Sequence, residues 1–87
     1  MATLVRFLVH EVDGDVLAMF PQINYCKQLY GTKQKMSYMR IGQHGACASD
    51  IHIPASDNPW ISATLEQYAD LLQELKNVGY DNLKIIA

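Results

Sequence analysis

The sequence predicts an α+β domain, a small antiparallel sheet in β-β-β-α-β order packed on one amphipathic helix. Three observations predict it: an Asp-Gly pair between two apolar runs near the start, one capped stretch of helical periodicity near the end, and a short apolar run after that. Residues 1–87 form one domain, because a chain of this length holds a single modest core.

The first hairpin comes from residues 3–12 (TLVRFLVHEV) and 15–20 (DVLAMF), which flank Asp13-Gly14. Asp-Gly suits a two-residue turn, whose central positions need φ > 0. That turn would set Val12 opposite Asp15, His10 opposite Leu17 and Leu8 opposite Met19, and Pro21 would end the second strand by removing a donor. One face of the hairpin then carries Val5, Phe7, Val9, Ala18 and Phe20. The other carries Leu4, Leu8, Leu17 and Met19, with Arg6 and His10 among them. One helix covers one face, so the second needs another cover: the chain's own middle segments, a ligand or a second subunit. A homodimer is the preferred expectation, because small domains often complete their cores that way.

Residues 22–33 form an irregular connection, 34–43 (QKMSYMRIGQ) have strand character, and 44–61 form a long loop broken by Gly45, Pro54 and Pro59. Trp60 anchors that loop. The helix starts at Thr64, which makes a T-x-x-Q capping box with Gln67. Leu65, Tyr68, Leu71, Leu72, Leu75 and Val78 form its apolar stripe, and Gly79 supplies the left-handed residue after its end. Asn82–Ile86 returns as the last strand.

Charge is unevenly spread. No acidic residue lies between Val16 and Ser49, where Lys27, Lys33, Lys35 and Arg40 all fall, whereas the rest of the chain holds all nine acids. A local cationic segment on an acidic body suits an anion such as a phosphate or nucleotide. Within SYMRIGQHGACAS, Arg40 suits bidentate pairing with an oxyanion, Gln43 and His44 suit hydrogen bonds to a base or sugar, and Gly42 and Gly45 allow close backbone approach. Tyr38 and Tyr30 are candidates to stack on a ring, and Lys35 adds positive field. The ligand-binding set is therefore Arg40, Gln43, His44, Tyr38, Tyr30 and Lys35.

Catalysis finds less support. Cys47 lies near His44 and His52 in sequence, but no third group orients a Cys/His pair, and Cys47 sits in a string of small residues. Cys26, His44, Cys47 and His52 are the right types for zinc at an unfamiliar spacing, so neither a metal nor a cofactor is expected. A net charge of −2 argues against general nucleic-acid binding. No apolar run spans a bilayer, and the N-terminal residues lack a signal-peptide pattern, so a cytoplasmic location is expected.

SYMRIGQHGACAS together with ATLEQYADLLQEL and GYDNLKI resembles a group of small uncharacterised bacterial and phage proteins. That group shares an S/T-x-Y-x-x-(I/V)-G-Q-H segment, a helix beginning Ala-Thr, and a Gly-Tyr turn before a final strand. The similarity covers about residues 15–86. It departs at Arg40, where the group's pattern has histidine, and at Gln67, where an acid is commoner. It supplies no activity, but implies a phage or mobile-element setting. The expectation is a non-catalytic binding protein that holds a small anionic, nucleotide-like ligand, for example sequestering a signal. The alternative is an inhibitor or adaptor acting on a host protein through an apolar sheet face, and a small Cys/His enzyme is third.

Overall fold

The computed structural model describes residues 2–24, 34–39, 43–48, 53 and 56–86. Its elements are β1 (Thr3–His10), β2 (Val16–Asn24), β3 (Gln34–Met39), β4 (Gln43–Ala48), β5 (Trp60–Ser62), α1 (Leu65–Asn77) and β6 (Leu83–Ile86). The α+β class and the sheet backed by one helix are as predicted. The sheet runs β4-β3-β2-β1-β5, with β6 also on β1. All its ladders are antiparallel except β6 on β1, which is parallel. The far side of β1 is thus shared end to end: β6 pairs Thr3–Arg6 and β5 pairs Leu8–His10.

The first hairpin departs from the two-residue turn. Observed partners are Arg6↔Met19, Phe7↔Ala18, Leu8↔Leu17 and Val9↔Val16, two residues away from the expected register. A wider loop, Glu11–Gly14, closes on bonds from His10 N to Asp15 O (2.8 Å) and Gly14 N to His10 O (2.9 Å). The cause is the His10 ring. Its Nδ1 accepts from the N–H groups of Val12 (3.3 Å) and Asp13 (3.2 Å), giving the loop an internal anchor that a two-residue turn lacks. Gly14 still provides the positive φ, at 76°. A slip of two residues restores the side-chain alternation, so both faces keep their expected membership.

Pro21 does not end β2. The strand continues to Asn24, and the register shifts between Phe20 and Asn24, an irregularity at which a missing donor is tolerated. The expected single strand at 34–43 is two: β3 ends at Met39, β4 begins at Gln43, and those residues pair. β5 also begins within the expected loop at 44–61. Poor apolar alternation hid both, because β4 is built from small and polar residues (QHGACA) and β5 is only three residues long.

The helix follows its signals. Thr64 Oγ1 accepts from Gln67 N (3.4 Å), and Gln67 Oε1 accepts from Thr64 N (2.8 Å), completing the capping box. At the other end Gly79 N donates to Lys76 O and Tyr80 N to Leu75 O, the paired bonds of a Schellman turn, with Gly79 at φ 117°. Leu71 and Leu75 are buried and Tyr68 and Leu72 pack beside them, but Leu65 and Val78, at the ends of the stripe, are exposed.

Two cores result. Under the helix, Val5, Phe7, Val9, Val16, Ala18, Phe20 and Tyr38 meet Leu71 and Leu75. Tyr68 stacks on Phe7 (4.3 Å between centroids) and Tyr80 on Phe20 (5.0 Å). On the opposite face Leu8, Leu17, Met19 and Cys47 form a second cluster against which Trp60 packs. Leu8 and Met19 are each only 1% exposed within one chain. The second face is closed without a partner, which removes the open-face argument for a homodimer. The anchoring role expected of Trp60 is what its packing shows.

Candidate functional site

The fold turns the charge pattern of the sequence into a spatial one. Strands β2, β3 and β4 make one half of the sheet and contain no acidic residue. The β1–β2 loop, α1 and the turn before β6 carry Glu11, Asp13, Asp15, Glu66, Asp70, Glu74 and Asp81 on the other half or across it.

The predicted ligand residues are placed unevenly. Lys35 lies in β3, where its backbone pairs with Cys47, while Gln43 and His44 lie in β4 opposite Met39 and Tyr38. With Tyr38, also in β3, four of the six thus belong to one β-hairpin at the sheet edge whose strands hold no acid. Arg40 and Tyr30 lie outside the described residues. Tyr38 is 2% exposed and belongs to the core beneath the helix. Burial and the negative charge of Glu74 both push its hydroxyl pKa up, so it stays neutral well above physiological pH. Tyr80 is raised by burial and then by Tyr38.

Cys47 is buried, and burial pushes its thiol up to about 11. A nucleophilic cysteine needs the opposite shift, so this thiol stays protonated at neutral pH. Among the described residues no group of three or more His, Cys, Asp or Glu could hold a metal ion. Cys26 and His52 lie outside them.

Sequence reasoning did not assign His10 its part. Besides holding the loop, it sets its ring edge-on to Trp60 (5.1 Å, 89°), linking the β1–β2 loop to β5. Accepting two N–H bonds at Nδ1 puts the proton of the neutral ring on Nε2. The Asp13 carboxylate lies 3.6 Å from the same Nδ1. The signal available in sequence was a histidine immediately before a turn, with backbone N–H groups two and three residues on.

A cleft of about 260 Å³ opens where β5 and β6 end against each other on β1. Phe7 and Tyr68 form part of its wall, and Ala63, Leu65, Ile85 and Ile86 surround them. Leu65 is 65% and Ile85 41% exposed, and both line this cleft. No helix among the described residues is long and apolar enough to cross a membrane. No protein-family model, curated protein or solved structure matches this chain, so the geometry alone carries the functional argument.

Proposed function

We propose that this protein is a non-catalytic binding domain that holds a small anionic, nucleotide-like ligand on its acid-free half. The observation that supports this is that β2, β3 and β4 carry no acidic residue of their own, so a negative ligand lying along these strands meets no carboxylate from them, although Glu74 of the helix acts on the buried Tyr38. Lys35, Gln43 and His44 share the β3–β4 hairpin, and Arg40 falls between its strands in the chain. Arg40 would pair with the oxyanion, Gln43 and His44 would hydrogen-bond the remainder, and Tyr30 would stack. Tyr38 anchors β3 in the core and is not open for stacking. The raised thiol of Cys47 weighs against the enzyme reading.

Calorimetric titration of the chain against nucleoside mono-, di- and triphosphates tests this. Saturable heat is expected, lost in Arg40→Glu and weakened by salt. Absence of heat from every member, with folded protein, ends the proposal. Burial of Leu8, Leu17 and Met19 weighs against the alternative, a partner protein on the apolar sheet face.

A further inference from the structure

The far side of β1 forms a continuous line built from two strands. Bonds from Thr3 N to Asn82 O, Ala63 N to Phe7 O and Glu11 N to Pro59 O fix its hydrogen-bonding phase. In that phase Lys84 and Ile86 of β6 and Ile61 of β5 turn their backbone groups toward β1. Leu83 and Ile85 of β6, and Trp60 and Ser62 of β5, turn theirs outward. Trp60 N donates to Asn58 Oδ1 (3.1 Å), which caps one end of the row. No described strand lies outside β5 or β6.

The side chains along this line have an order. Its middle is apolar, with Leu65 and Ile85 exposed at the cleft and Ile61 exposed on β5 beside it in the chain. Its ends are acidic: Asp81 precedes β6, while Glu11 and Asp13 follow β1 beside Pro59, and Asp57 precedes β5. Glu66 stands next to Leu65 in the first turn of the helix. Lys84 is the cation on β6 itself. The four residues of β6 and three of β5 run along the eight residues of β1, about 26 Å at roughly 3.3 Å per residue.

We propose that this edge docks an extended peptide segment of a partner by strand addition, with an apolar side chain in the cleft and Lys or Arg at both ends. Outward backbone groups supply the ladder, the cleft selects a large aliphatic side chain, and the acidic ends select positive charge. A second copy paired edge to edge is disfavoured, because it would set acids against acids. This surface is separate from the acid-free half and does not depend on anion binding there.

The test is fluorescence anisotropy of a labelled eight-residue peptide with lysine at both ends and alternating isoleucine and threonine between. Saturable binding is expected, with affinity falling about tenfold when glutamate replaces the terminal lysines and falling also with salt. Alternate backbone N-methylation of the peptide removes its ladder donors without altering the protein, and is expected to abolish binding. Leu65→Asp should weaken binding while the circular dichroism spectrum is kept. No saturation, equal binding of the glutamate-ended peptide, or equal binding of the N-methylated peptide would overturn the proposal. Concentration-dependent self-association through this edge would also overturn it, by assigning the edge to a second copy.

Discussion

Leu8→Ala is the most informative single substitution, because Leu8 lies on the face that a lone helix leaves uncovered. It is 1% exposed and packs with Leu17, Met19 and Cys47. Removing three carbons loses about 0.8 kcal/mol each, roughly 2.4 kcal/mol of transfer free energy. The space left behind raises the cost to about 3–4 kcal/mol if the cluster cannot collapse. A chain of 87 residues has a total stability of roughly 4–13 kcal/mol at the usual per-residue values, so the loss is a large fraction. Urea unfolding followed by circular dichroism and Trp60 fluorescence, at two protein concentrations far apart, measures it. The expected result is a midpoint well below the parent's and the same at both concentrations. A loss under about 1 kcal/mol would mean that Leu8 stands in water. A midpoint rising with concentration would mean that a second chain supplies its cover. Either outcome refutes closure of this face within one chain.

Other predictions concern the helix and the buried hydroxyl and thiol groups. Thr64→Ala removes the acceptor for Gln67 N and should cost about 1 kcal/mol by thermal or urea melt, while Thr64→Ser should be nearly neutral. Gly79→Ala meets no atom within 4 Å, so its cost of about 1 kcal/mol or more comes from the backbone at φ 117° alone; an unchanged melt would place that strain elsewhere. Cys47 titrates near 9 when unfolded and near 11 when folded, so its contribution is complete below pH 9 and is lost as pH rises through 11, by up to roughly 3 kcal/mol. Cys47→Ala should flatten that stretch of the stability profile. Tyr38, also raised, adds a loss of the same sign in alkaline solution, and Tyr38→Phe should remove it.

Legibility of the fold in the sequence followed the strength of local physics. The capping box, Gly79 and the Leu71/Leu75 stripe act within one or two helical turns, and all were visible. Face membership of β1 and β2 was visible too, since it depends only on alternation and survives a two-residue slip. The slip itself was not visible, because the bonds to His10 Nδ1 compete with an Asp-Gly preference that looks sufficient alone. β4 lacks an apolar period, and parallel pairing of β6 with β1 depends on the path of the whole helix, so neither left a local mark. Of the candidate ligand residues, the hairpin that gathers Lys35, Gln43 and His44 was only half apparent, as one strand where there are two. Tyr38 looked like a surface ring, yet its pairing with Ala18 belongs to the helix-side core. The acidic-ended edge could not be read in advance, since it joins residues near 10, 60 and 82 that only the topology brings into line.

Reactivity of the Cys47 thiol measures closure of the second sheet face most directly. In a Cys26→Ser chain, alkylation of Cys47 near neutral pH should be slow, should accelerate only under conditions that unfold the domain, and should proceed at one rate across a wide range of protein concentrations. Labelling at the speed of a free thiol in dilute folded protein, with protection appearing as the concentration rises, would show that a neighbouring molecule shields this face.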